Sequence, residues 1–209
     1  MIGGGAGIFI AFEGIDGSGK STQIIRLINR LKYLGIECHG TKEPTDSPIG
    51  SLIRQILTGR LAADNKVVAS LFVADRVDHL LNASDGILQK VSSGIDVITD
   101  RYYFSSYAYN AVDIDMDWVI NANSISADIL RPSLTVFLDM PVNKALERIK
   151  RDRPQMELFE KEGRLAEVRK NYFKAFGLLR DVEKVEIIDA DADADIVEQR
   201  IWQTLSKFY

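Results

Sequence analysis

The densest chemistry in the chain lies between Gly14 and Thr22. There Gly14-Ile-Asp-Gly-Ser-Gly-Lys20-Ser21 satisfies the spacing G-x-x-x-x-G-K-[ST]. Gly14, Gly17 and Gly19 let the backbone curl so that successive N–H groups, that of Ser18 among them, face inward toward phosphate oxygens. Lys20 has the reach for β- and γ-phosphates, and the Ser21 hydroxyl suits Mg²⁺. The helix that must follow carries Thr22 in its first turn and adds its positive end. These residues predict binding of ATP or GTP with Mg²⁺. No Asn-Lys-x-Asp tetrapeptide occurs, so the guanine signature of a GTPase switch is missing. A kinase for a small acceptor fits a chain of this size best.

Two further constellations point to an acceptor. Phe72 and Arg76 stand four apart on a predicted helix and share a face. An aromatic ring beside a guanidinium suits a planar base with a carbonyl edge: the ring stacks and the arginine donates. An amino group at that edge would set donor against donor and be rejected. Packing alone could explain Phe72, but an arginine is almost never buried without a partner. Asp100-Arg101 follows an apolar run, with Asp100 expected near the Mg²⁺. Arg148, Lys150, Arg151 and Arg153 form a basic cluster, which could equally be a solvated helix end.

These groups need a frame. Ile8–Glu13, Ile36–Thr41, Ile95–Thr99, Leu134–Asp139 and Val185–Ile188 are short apolar runs that read as strands. Between them lie helical patterns: Ile24, Leu27, Ile28 and Leu31 recur at three and four until Gly35, a short helix covers Ile49–Leu57, and a long one is expected over Asp64–Val91. Strands alternating with helices, without hairpin signals, predict an α/β fold: a five-stranded parallel sheet with helices on both faces. Ligands bind at the carboxyl ends of such strands, where Gly14–Ser21, Lys42–Thr45 and Asp100–Tyr102 fall. One domain over 1–209 is expected, with a small mobile lid near 150–160.

Apolar residues are 46% and charged residues 27% of the 209, with a formal charge of −4. That balance argues against a partner such as a nucleic acid polymer, whose binders usually carry a basic face. No apolar run reaches the ~20 residues needed to span a bilayer. Cys38 is the one cysteine, so no intrachain disulfide can form. A cytoplasmic location follows as the expectation, and the glycine-rich start does not have the form of a signal peptide.

Taken together, Phe12–Thr22, Lys42-Glu-Pro-Thr45, Leu71–Arg76 and Asp100–Tyr109, followed by the segment Arg148–Tyr172, resemble the thymidylate kinase family in order and spacing. The resemblance implies ATP and Mg²⁺ as cofactors, thymidylate as acceptor and a homodimer packed through the Asp64–Val91 region. It implies that Phe72 and Arg76 hold the thymine ring, that Arg101 bridges the two phosphates, and that Tyr109 crowds the sugar 2′ carbon. Asp16 would accept the 3′-hydroxyl. Ser105, Ser106 and Asn110 would lie toward the nucleoside, where many relatives carry Gln at the Asn110 position. Glu43 and Pro44 would border the acceptor, with Arg54 and Lys42 as candidates to grip its phosphate. Many relatives have Arg at the Lys42 position. Gly17 stands where some relatives carry a basic residue, and those without it use a lid arginine. Here that would be Arg151 or Arg153, with Arg148 over the adenine.

Two other readings fit parts of the pattern. A deoxynucleoside kinase shares the P-loop and the Asp-Arg pair but needs a carboxylate base, for which Glu43 is the candidate. A monophosphate kinase for another base is opposed by the Phe72/Arg76 pair and by Tyr109, through the resemblance.

Overall fold

The computed structural model describes residues 6–152 and 159–209. Strands β1 (Phe9–Glu13), β2 (Cys38–Lys42), β3 (Asp96–Asp100), β4 (Leu134–Asp139) and β5 (Val185–Asp189) form one sheet in the order β2-β3-β1-β4-β5. Every neighbouring pair is parallel. The central strand β1 is buried along its whole length, its four apolar residues and the terminal Glu13 alike, whereas the edge strands β2 and β5 are half-exposed. In register, Phe12 and Lys42 both lie level with Asp100. The three polar motifs therefore leave the sheet side by side at its carboxyl edge.

The helices α1 (Lys20–Tyr33), α2 (Pro48–Leu57), α3 (Asn65–Leu81), α4 (Ile87–Ser92), α5 (Tyr103–Tyr109), α6 (Met116–Ile129), α7 (Val142–Asp152), α8 (Phe159–Leu179) and α9 (Ala194–Leu205) flank the sheet. Helix α1 packs against α9, while α5 packs against α6 and α8. Side chains cap the starts of α2 and α3: the Ser47 hydroxyl accepts from Gly50 N, with Pro48 in the first turn, and Asp64 accepts from Lys66 N. Among the described residues, no helix is long and apolar enough to cross a membrane.

The structure corrects the expected elements in two places. The single helix expected over Asp64–Val91 is two, α3 and α4, broken between Asn82 and Gly86. The Asn82 side chain turns back to accept from Ser84 N at 2.9 Å, and Gly86 N donates to Asn82 O at 2.9 Å. A side chain at Gly86 would collide with the Asn82 and Leu80 carbonyls, so the turn needs glycine. Strand β2 begins at Cys38 rather than Ile36. Ile36 N instead donates to Leu31 O at 2.9 Å, closing the end of α1 around Gly35 at φ 76°. Of the expected lid, residues 153–158, including Arg153, lie outside the described residues, and Arg151 falls in the last turn of α7.

Candidate active site

The P-loop closes on itself around Lys20. Gly14 (φ 147°), Gly17 (φ 79°) and Gly19 (φ 94°) occupy backbone regions that side chains strain to adopt. At Gly17 an added methyl would lie 2.5 Å from the Ala145 carbonyl oxygen, so a side chain there would need the loop or α7 to shift. The Lys20 ammonium is buried and donates to Gly14 O at 2.9 Å and Ile15 O at 3.1 Å. Burial, aided by the nearby Arg101 charge, lowers its pKa to about 8.

A cleft of about 690 Å³ opens over this loop. It is lined by Gly17–Thr22, Asp100, Arg101, Arg148, Arg151 and the β5–α9 connection. Arg148 reaches across to Ala192 O at 3.5 Å. Within the cleft Ser21 Oγ donates to Asp100 Oδ2 at 2.6 Å, while Asp100 Oδ1 and Ser18 Oγ are buried without a partner among the described residues. A hydroxyl beside a half-satisfied carboxylate is a hard-oxygen pair that suits Mg²⁺. No three His, Cys, Asp or Glu side chains gather as a metal site among the described residues. A cation here would therefore draw its other ligands from phosphate and water, as Mg²⁺ in nucleotide sites does.

A second cleft, of about 970 Å³, lies beside the first and is lined by Glu43, Pro44, Arg54, Phe72, Arg76, Ser105, Ser106, Tyr109 and Asn110, among others. The structure thus brings the whole sequence-predicted acceptor set together. Asp16 and Arg101 line both clefts. Their side chains meet at 2.5 Å, and Tyr109 OH accepts from Asp16 N at 3.0 Å and from Arg101 Nη2 at 3.3 Å. Although its place in the cleft wall raises its pKa, the Arg101 and Lys20 charges hold the Asp16 carboxyl below its usual range. Burial pushes the Tyr109 phenol up to about 12, so it stays neutral beside them.

Arg101 is held unusually firmly. It has φ 74°, a left-handed conformation costing roughly 1–3 kcal/mol for a residue with a side chain. Its N–H donates to Phe12 O at 2.9 Å, its carbonyl accepts from Thr99 Oγ1 at 2.9 Å, and Nη1 donates to Ser105 Oγ at 3.0 Å.

Several partners here were not identified in the sequence. Arg76 is buried: Nε and Nη2 donate to Glu43 Oε2 at 2.8 and 2.6 Å, and Nη1 donates to Ser106 Oγ at 3.2 Å and to Asn123 Oδ1. A guanidinium has five N–H donors, so one Nη2–H stays uncommitted among the described residues. The other Glu43 oxygen meets His79 at 3.2 Å. Burial would raise the Glu43 pKa, but Arg76 and His79 lower it below the usual range. A carboxylate so engaged is a poor general base. Arg54 is tied to the loop it lines, donating to Pro44 O, Thr45 O and Ser51 Oγ. Asp75 braces that loop, accepting from Thr45 N, Thr45 Oγ1 and Ser47 Oγ. Lys42 pairs with Asp46 at 3.4 Å. Ser105 and Ser106 lie in the cleft wall, though their hydroxyls are engaged by protein. Asn110 Nδ2 is a buried donor without a partner among the described residues.

The family model described as thymidylate kinase matches residues 12–201. The chain is 40% identical over 200 residues to a probable thymidylate kinase of Pyrococcus horikoshii, covering 91% of this chain and 94% of the relative. A probable thymidylate kinase of Thermococcus kodakarensis is 37% identical over 205 residues, covering 93% and 95%. The thymidylate kinase of Syntrophotalea carbinolica is 36% identical over 212 residues, covering 95% and 94%.

Proposed function

Since the chain belongs to the thymidylate kinase family, we propose that it transfers the γ-phosphoryl group of ATP to the phosphate of thymidine monophosphate, forming thymidine diphosphate. The observation that carries this reading is the pair of clefts meeting at Asp16 and Arg101. The P-loop cleft takes ATP, with Arg148 beside the adenine, and the larger cleft takes thymidylate.

The acceptor needs no base, because a phosphate monoester with a second pKa near 6 is largely ionised at neutral pH. Phosphoryl transfer between two anions instead requires positive charge and alignment. Lys20 and the P-loop N–H groups hold the donor phosphates. Arg101 stands where donor and acceptor phosphates come together, and Arg151, which lines the donor cleft, is the described lid-side arginine placed to assist. Asp16 orients the sugar through its 3′-hydroxyl, Tyr109 excludes a 2′-hydroxyl, and Phe72 stacks on the base while Arg76 and Asn110 donate to its edge. Ser21 and Asp100 are the residues that would hold Mg²⁺, which when bound neutralises charge on the β- and γ-phosphates. Full turnover in excess chelator would contradict that part of the reading.

The commitment of Glu43 to Arg76 and His79 disfavours a nucleoside kinase, which must deprotonate a 5′-hydroxyl. ADP release with thymidylate, deoxyuridylate, the other nucleoside monophosphates and thymidine tests the proposal. Strong preference for thymidylate is expected, and activity with thymidine but not thymidylate would overturn it. Phe72→Leu should raise KM for thymidylate about tenfold, the worth of one stacked base, while leaving KM for ATP unchanged. A parallel rise in both would remove Phe72 from the acceptor site.

Two coarser proposals accompany this one. Val67 and Leu81 on α3, and Ile125 on α6, are half or more exposed, which supports a homodimer across these helices. A monomer mass by light scattering would contradict it. The single free thiol, Cys38, fits a reducing compartment such as the cytoplasm, and localisation of the tagged full chain would check this.

A further inference from the structure

Directly beneath Arg101 lies a carboxylate that the reaction itself does not use. Glu13 ends β1 and is completely buried. Its Oε1 accepts from Tyr102 N at 2.8 Å and Ser105 N at 3.0 Å, and its Oε2 from Ser105 Oγ at 2.5 Å and Tyr172 OH at 2.9 Å. Burial raises the Glu13 pKa above the usual carboxylate range, while these four donors and the Arg101 charge oppose that shift and favour the ionised form. One of them, Ser105 Oγ, is the atom that accepts from Arg101 Nη1 at 3.0 Å. Ser105 Oγ also lies 2.9 Å from Tyr172 OH, but its shorter contact, 2.5 Å, is to Glu13 Oε2, and with its one proton there its lone pairs face the guanidinium. The backbone on either side of this contact is fixed by the same carboxylate, through the N–H groups of Tyr102 and Ser105.

We propose that Glu13 is a positioning residue for catalysis: through Ser105 and the Tyr102 backbone it sets the conformation in which Arg101 meets the transferred phosphoryl group. A buried charge is costly to keep for packing alone, and an apolar residue of similar volume is often no worse. Here the charge orders four donors around the one left-handed residue with a side chain among those described. Neither glutamine nor leucine can do this. Glutamine turns one of the two acceptor oxygens into a donor and sets it against Tyr102 N and Ser105 N, or against Ser105 Oγ and Tyr172 OH.

The inference rests on Arg101 acting at the phosphates, so the test includes Arg101→Ala alone. Single-turnover transfer from labelled ATP to thymidylate is measured for wild type, Glu13→Gln, Arg101→Ala and the double variant. Glu13→Gln should lower the transfer rate about a hundredfold, the order expected when a catalytic group is displaced by about 1 Å, with both KM values unchanged. In the Arg101→Ala background it should cause no further loss. An equal loss in both backgrounds, an unchanged rate in the single variant, or a loss carried by KM would each overturn the role of Glu13. Wild-type transfer by Arg101→Ala would instead refute the assignment of Arg101. Should Glu13→Gln fail to fold, Ser105→Ala removes the bridging oxygen and leaves three donors on Glu13. The same absence of further loss is then expected, and the same additive result overturns the inference.

Discussion

Arg101→Ala is expected to lower kcat by about a thousandfold or more, the effect of withdrawing an arginine from a phosphoryl-transfer site. The reason is position. Arg101 lines both clefts, and no single-cleft residue can act on both phosphates at once. The loss should fall on kcat rather than on KM for ATP, because the proposed function assigns the donor phosphates mainly to Lys20 and the loop backbone. Arg101→Lys should recover only part of it, since an ammonium cannot keep the Ser105 and Asp16 contacts together while reaching the phosphates. Steady-state kinetics at saturating thymidylate read the effect directly. A variant with kcat near wild type would remove Arg101 from the mechanism.

Lys20→Met should lower turnover by about a hundredfold to a thousandfold, the cost of removing one electrostatic contact from a preorganised site, without unfolding the chain. Among the described residues Lys20 donates to the Gly14 and Ile15 carbonyls, and burial disfavours its charge, lowering its pKa to about 8. The sign follows from proton counting. Between about pH 8 and 10.5 the unfolded chain keeps the lysine proton that the native protein has lost. Stability of the ligand-free protein therefore rises with pH across that window through this group. Lys20→Met should be at least as stable as wild type at pH 7 and should lack this contribution, as denaturant melts at pH 7 and pH 9.5 would test. A large destabilisation at pH 7 would mean that Lys20 supports the loop rather than its ligand.

The phosphate cradle was legible because its chemistry is local. The glycines, the lysine and the serine lie within eight residues, and only a tight loop satisfies that spacing. The strands were legible as short runs between helical patterns, three of the five ending at or next to a polar motif. The break at Asn82 carried a usable signal, the Asn-Ala-Ser-Asp-Gly run at 82–86, but the helical pattern on either side of it reads through as one helix. Arg76 could be read as a cation needing a partner, but not which one: Glu43 and Asn123 lie 33 and 47 residues away and meet it only through the fold. Glu13 carried a usable signal, a charge at the end of an otherwise apolar buried strand. Its meaning came only with Ser105 and Tyr172, from two helices far along the chain. The φ of Arg101 left no trace in composition or spacing, since arginine has no preference for that region.

In the proposed function the two clefts are halves of one reaction site joined at Asp16 and Arg101. The most direct test of this is the affinity of a dinucleotide that links adenosine and thymidine through a chain of phosphates between their 5′ carbons, measured by calorimetry against ATP and thymidylate alone. The linked molecule should bind more tightly than either nucleotide, compete with both, and lose that advantage in Arg101→Ala. Binding no tighter than ATP, with thymidylate still able to bind beside it, would mean that the clefts do not meet as described.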